Sequence, residues 1–330
     1  MQYKFLGNTG VLVSQVCFGT MSFGGIADES TSQTMFNLCR DAGINFFDCA
    51  NVYEKGVSEE VLGRLTEDCR NEVFITSKVY FRMGDDVNAM GATRYHIMQS
   101  VEASLQRLRT DRIDLYFIHR FDERTPLEET LGVLDDLVRQ GKVLYTGASN
   151  FAAWQVAKAL GISIQQGWSR FECIQPMYNL VKRQAEVELF PLATSENLGV
   201  IPYSPLGGGL LTGKYGRDKN PEEGRLKENK MYQVRYGADW IHDVADNFTG
   251  LAAREGYDPV SLAVAWVAHN PAVTAPIIGA RRPEQLMSSL ASMEIDMSAE
   301  LYQEISELSP QPPPATDRNE ETSEFNYGLR

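Results

Sequence analysis

Eight short runs rich in β-branched and aromatic residues alternate with amphipathic stretches along this chain, and no other feature limits its fold so strongly. The strand-like runs are 16–19, 45–50, 73–79, 113–120, 143–150, 172–178, 199–205 and 275–280. Between them, Ile97, Val101, Leu105 and Leu108 fall on one helical face, and Leu127, Leu131, Leu134 and Val138 fall on another. Turn and capping signals precede the helices, as at Thr125-Pro126 with Glu128 and Glu129 in the first turn. Repeated β-then-α units with short links predict a parallel sheet, and eight of them predict an α/β (β/α)8 barrel. The segment KFLGNTGVLVSQV (4–16) reads as an N-terminal hairpin turning at Gly7-Asn8-Thr9-Gly10, placed under the barrel.

Two segments exceed a minimal barrel. Residues 207–240 are rich in glycine and charge, and too long for an ordinary βα loop. Residues 309–330 are Pro-rich and polar, and read as an irregular tail. No linker divides the chain, so residues 1–330 are expected to form one barrel domain.

Three consecutive runs finish on groups able to move or steer a proton. They read NFFDCANVY, VFITSKVY and DLYFIHR, and carry Asp48, Tyr53, Lys78 and His119. Barrel sites form at the C-terminal ends of strands, so these four side chains should share one site. Taken singly, Asp48 reads as a helix cap, Tyr53 as a rim tyrosine, Lys78 with Asp48 as a structural ion pair, and His119 as a satisfied core histidine. Together at adjacent strand ends they suit protonation of a carbonyl oxygen. A lysine ammonium should lower a tyrosine's pKa, and a carboxylate should keep that lysine charged. A histidine can hydrogen-bond the carbonyl oxygen or share its proton. No activated nucleophile or metal triad is visible.

Charge and cysteine content exclude other classes. Lys plus Arg is 31 and Asp plus Glu is 44, a net charge of −13 without a basic block, which disfavours nucleic acid and anionic membranes as partners. Five cysteines without a C-x-x-C pair read as buried thiols in a reducing compartment. With no signal-like apolar core and no run of 18 apolar residues, a cytoplasmic location is expected.

The chain resembles the aldo-keto reductases, and within them the branch of bacterial reductases and potassium-channel β subunits. The resemblance spans residue 3 to about residue 290. It rests on FFDCANVYEKGVSEEVLG (46–63), on Lys78, on DLYFIHRFDERTPLEETLGVLDDLVRQGKVLYTGASNF (114–151) and on GVIPYSPLGGGLLTGKY (199–215). It implies NADPH-dependent carbonyl reduction with Asp48, Tyr53, Lys78 and His119 as the tetrad. By the same resemblance Ser149, Asn150 and Gln175 hold the nicotinamide carboxamide, and Tyr203 stacks on the ring. Ser204, Leu206, Gly207 and Gly208 would wrap the pyrophosphate, with Lys214 adding charge.

The run IIGARRPEQL (277–286) resembles the adenosine end of the site, with Gly279, Arg281 and Gln285 at contacting positions. Arg281 or Arg282 suits a 2′-phosphate, although Arg282 reads equally as a solvated helix-start residue. Arg225 is a further candidate for the pyrophosphate. Close relatives often read QLMEN where this chain has Ser288 and Ser289, so NAD(H) remains an alternative to NADP(H). Met21, Phe23, Tyr80, Phe81 and Phe121 are candidates to line the pocket for a small-molecule carbonyl, possibilities shared with plain rim packing. Two other classes stand open: a cofactor-sensing regulatory protein resembling the channel β subunits, and a carboxylate-driven barrel enzyme. The second would need paired acids at strand ends, and only Asp48 ends one. The oligomeric state is not legible.

Overall fold

The computed structural model describes residues 1–219 and 221–326. Strands β1 (Tyr3–Phe5) and β2 (Leu12–Ser14) form the expected antiparallel hairpin. The barrel strands follow as β3 (Cys17–Gly19), β4 (Phe46–Asp48), β5 (Phe74–Val79), β6 (Ile113–Ile118), β7 (Val143–Ser149), β8 (Phe171–Gln175), β9 (Gly199–Val200) and β10 (Ile277–Ile278). They pair in parallel in the order β10-β3-β4-β5-β6-β7-β8-β9. The ring closes where Thr274 N–H donates to the Val200 carbonyl and Ile277 N–H to the Pro202 carbonyl, each at 2.8 Å.

All eight anticipated strands are present, but the last two are much shorter than their runs. Pro202, Pro205 and Pro276 interrupt them, and a proline has no N–H to give a ladder. Helices α1 (Glu29–Asp41), α2 (Val57–Thr66), α3 (Arg94–Leu108), α4 (Leu127–Arg139), α5 (Ala153–Gln166) and α6 (Leu189–Glu196) connect the strands as far as β9. Thr125 does not cap α4. Its hydroxyl donates to Asp122 Oδ2 at 2.8 Å, and Pro126 occupies the cap position without a side-chain bond.

The long segment after β9 is partly helical, with α7 (Arg225–Glu228), α8 (Lys230–Arg235) and α9 (Trp240–Glu255). Then come α10 (Pro259–His269), α11 (Pro283–Ala291) and α12 (Ala299–Glu307). Over the described residues the tail is irregular, with a 3-10 segment at Asn319–Thr322, and its Pro312 and Pro314 share a hollow with Glu186 and Val187. The irregular tail expected from the sequence includes 327–330, which lie outside the described residues.

The period of two along each strand separates two apolar layers. Phe46, Phe74, Leu115, Phe117 and Cys173 fill the barrel interior, while Phe47, Ile75, Tyr116, Ile118 and Ile174 face the helices. Leu6 and Val13 of the hairpin join the interior layer, which makes the hairpin the floor of the barrel. Gly7 has φ +55, and a Cβ there would lie 2.4 Å from the Gly199 nitrogen, so only glycine allows this approach. Cys17, Cys39, Cys49 and Cys173 are buried free thiols, and Cys69 is half-buried. Among the described residues no helix is long and apolar enough to cross a membrane, and no group of His, Cys, Asp and Glu could hold a metal.

Candidate active site

The inward alternation of β4 and β5 places Asp48 above Phe46, and Thr76 and Lys78 above Phe74. Register sets Asp48 opposite Thr76. Just beyond β6, His119 N–H donates to the Val79 carbonyl, which ties His119 to the end of β5. After β4 the chain turns through Tyr53 into α2. Glu54, Lys55 and Gly56 take three successive positive φ values there, +46°, +56° and +100°. Non-glycine residues in this region store strain, and such strain tends to gather at functional sites. The turn holds the Tyr53 hydroxyl over the strand ends.

Lys78 is fully buried and spends all three of its N–H directions. Nζ donates to Asp48 Oδ2 at 2.6 Å, to the Cys49 carbonyl at 2.7 Å and to the Tyr53 hydroxyl at 3.3 Å. An ammonium can only donate, so the Tyr53 oxygen accepts and its own proton is directed elsewhere. Asp48, 2 % exposed, receives two further donors on Oδ1: the Thr76 hydroxyl at 2.7 Å and Gln175 Nε2 at 2.9 Å. Burial opposes charge on Lys78, but the Asp48 carboxylate and Tyr53 more than offset it and raise its pKa above the ordinary lysine value.

The effect on Tyr53 differs from the expectation. Burial outweighs the Lys78 charge, and the phenol is pushed up to about 12 instead of down. Desolvation penalises the phenolate, and Lys78 recovers only part of that cost because its charge is already matched by Asp48. Burial, reinforced by the Lys78 charge, pushes His119 well below the usual histidine value, so its ring is neutral. Its Nδ1 is buried without a hydrogen-bond partner among the described residues. The ring lies edge-on to Phe81 at 4.9 Å and to Tyr53 at 6.1 Å.

The carboxamide candidates are joined to this group. Tyr203 hydroxyl donates to Asn150 Oδ1 at 2.7 Å. Asn150 Nδ2 donates to the His119 carbonyl at 2.9 Å and to Ser149 Oγ at 3.0 Å, and Ser149 Oγ donates to the Gln175 carbonyl at 3.0 Å. Asn150 and Ser204 both have positive φ, +58° and +61°, as does each of Gly207, Gly208 and Gly209.

Along the proposed phosphate path, Gly207 N–H closes a turn onto the Ser204 carbonyl at 3.0 Å, and Leu206 caps the 3-10 segment Gly207–Thr212 that follows. A Cβ on Gly208 would sit 2.7 Å from the Tyr232 ring, so that glycine also admits α8 onto the loop. Lys214 lies near Gly209 and Gly224. Burial, then Arg281 and Arg225 against the opposing Glu228, lowers the Lys214 pKa. Arg281 and Glu228 lie 3.8 Å apart, and cations such as Lys214, Arg225 and Arg281 suit a nucleotide's phosphates.

In the run expected at an adenosine end, Arg281 N–H donates to Gln285 Oε1 at 3.0 Å, and Gly279 follows β10. Arg282 is exposed at the N-cap of α11. Ser289 is buried in α11, while the Ser288 carbonyl accepts from Ser261. Among the pocket candidates Tyr80, Phe81 and Phe121 are half-buried and Met21 is exposed. Phe23 does not line the pocket. It is fully buried against Phe18, ring centres 5.6 Å apart, where the turn from Thr20 to Phe23 after β3 folds it inward.

Sequence reasoning missed Thr76 and the bond from Gln175 to Asp48. Thr76 stands two residues before Lys78 on the inward face of its strand, and that spacing was the available signal.

Residues 15–310 match the Aldo/keto reductase family. The chain is 36% identical over 326 residues to the "Uncharacterized oxidoreductase YrpG" of Bacillus subtilis (strain 168), covering 94% of this chain and 97% of that protein. It is 34% identical over 304 residues to a "Probable voltage-gated potassium channel subunit beta" of Arabidopsis thaliana, covering 89% and 92%. It is 30% identical over 333 residues to the "Versiconal hemiacetal acetate reductase" of Aspergillus parasiticus, covering 93% and 96%.

Proposed function

We propose that this chain, which belongs to the aldo/keto reductase family, reduces an aldehyde or ketone to an alcohol with NADPH, using Tyr53 as the proton donor. The observation that carries this reading is the use of Lys78. Its three donors are committed to Asp48, Cys49 and Tyr53, which leaves the Tyr53 proton as the one free to reach a carbonyl oxygen. When bound, the reduced nicotinamide supplies the hydride to the carbonyl carbon. Tyr53 gives its proton to the oxygen, and Lys78 stabilises the phenolate left behind. Asp48 keeps Lys78 charged and fixed. His119, being neutral, acts as a hydrogen-bond partner that orients the carbonyl rather than as the acid. Ser149, Asn150 and Gln175 supply the carboxamide site, Tyr203 a face for the ring, and Lys214, Arg225 and Arg281 the phosphate site.

The test is a fluorescence titration with NADPH and NADH, followed by turnover with 4-nitrobenzaldehyde. Binding of NADPH with turnover supports the reading, and failure of both cofactors to bind overturns it. Arg281→Ala is expected to weaken NADPH about tenfold or more while changing NADH much less. Equal losses for both cofactors would remove Arg281 from the 2′-phosphate site.

The elevated Tyr53 pKa fixes a pH dependence. Reduction needs the phenol, which persists up to about pH 12, so its rate should be flat from about pH 6 to about pH 9. Alcohol oxidation needs the phenolate, so it should climb through the same interval, close to tenfold per pH unit. A reduction rate that falls above neutrality would instead place a lowered pKa on the donor.

Similarity to a channel β subunit supports a second reading, a cofactor-dependent partner protein with little turnover. NADPH binding without measurable aldehyde reduction would favour it.

A further inference from the structure

Asp48 is held more tightly than an ion pair with Lys78 requires. A carboxylate's terminal torsion is broad, so a single partner on one oxygen leaves its plane free to swing. Here Oδ2 takes Lys78, while Oδ1 takes both Thr76 at 2.7 Å and Gln175 at 2.9 Å. Thr76 is fully buried and faces the interior layer beside Phe74 and Phe46. At such a place valine has the same shape and no polar group to satisfy, so a hydroxyl needs a use. Asp48 Oδ1 is the partner found for it. Gln175 comes from β8, across the barrel, so Oδ1 is fixed from two directions.

We propose that Thr76 is a positioning residue for proton transfer, fixing the Asp48 carboxylate plane so that Lys78 stays aimed at the Tyr53 hydroxyl. The inference rests on the reading of Tyr53 as proton donor. Without the Thr76 hydroxyl, Asp48 turns about its Gln175 bond, Lys78 follows, and its 3.3 Å contact with Tyr53 lengthens. The phenolate then loses its cation and becomes harder to form.

The experiment compares Thr76→Val with Thr76→Ser in the full chain. For the valine variant kcat should fall about tenfold in both directions, with KM and NADPH affinity within about twofold of wild type. The rising limb of alcohol oxidation, which climbs about tenfold per pH unit, should accordingly move up by about one pH unit. Serine, which keeps the hydroxyl, should restore both. In an Asp48→Asn background the valine change should add less than about twofold, and urea midpoints of the cofactor-free proteins should show the same coupling.

The proposal is overturned by equal impairment in valine and serine, by a valine variant with wild-type rate and pH profile, or by additive effects with Asp48→Asn. If valine prevents folding, Thr76→Ala against Thr76→Ser makes the same comparison. Absence of turnover in the wild type would sink the reductase reading instead, and the urea cycle would still report on the Thr76–Asp48 contact.

Discussion

Tyr53→Phe is expected to lower carbonyl reduction about 10²- to 10⁴-fold while NADPH binds as before. The substitution removes one oxygen from a ring that packs against the core and lies edge-on to His119, so the pocket keeps its shape. What disappears is the hydroxyl that Lys78 touches at 3.3 Å. His119 is a poor substitute because burial and the Lys78 charge keep it neutral. Single-turnover rates with saturating NADPH would check this directly. A variant retaining more than about a tenth of wild-type rate would move the acid role away from Tyr53.

The second large effect is on stability. Lys78→Met should destabilise the fold by about 3–5 kcal/mol and abolish turnover, because it leaves Asp48 as an unmatched carboxylate in an apolar interior. The pair is 0% and 2% exposed, so water cannot supply the missing partner. The Lys78→Met/Asp48→Leu double variant removes both charges and should recover much of the stability but none of the activity. Urea unfolding of the three proteins tests the argument. A single variant as stable as wild type would show that Asp48 is neutralised at little cost. That outcome would contradict the geometry, in which three side-chain donors surround a carboxylate.

Much of this architecture was legible from spacing alone. Inward and outward positions alternate along FITSKV as the period of two requires, and Lys78 falls inward with Phe74. Asp48 and His119 were found because a polar residue at the end of an apolar run has few reasons to be there. The rest depends on partners that no local pattern connects. Gln175 and Asp48 are 127 residues apart, and Thr76 and Asp48 28 apart. The sign of the Tyr53 shift was misread for a similar reason. A sequence places a lysine near a tyrosine, but how far burial offsets that lysine is a property of the folded interior. Phe23 shows the converse: a position next to a strand end suits either the pocket or plain packing by its sequence, and the fold turns it inward.

The seam of the barrel gives these observations a mechanical side. The first strand of the ring has ordinary neighbours on one flank, but β9 and β10 are two residues each, and prolines thin their hydrogen bonding. Lys214 and Arg225 come from the segment after β9, and Arg281 from the turn after β10. A dinucleotide held by all three, with Lys214 and Arg225 at its diphosphate and Arg281 at its 2′-phosphate, would fasten together two ends of the ring that the backbone joins sparingly. Nucleotide and barrel would then be each other's clasp: the ligand tightens the hoop, and loosening of the hoop is the natural way for the ligand to leave.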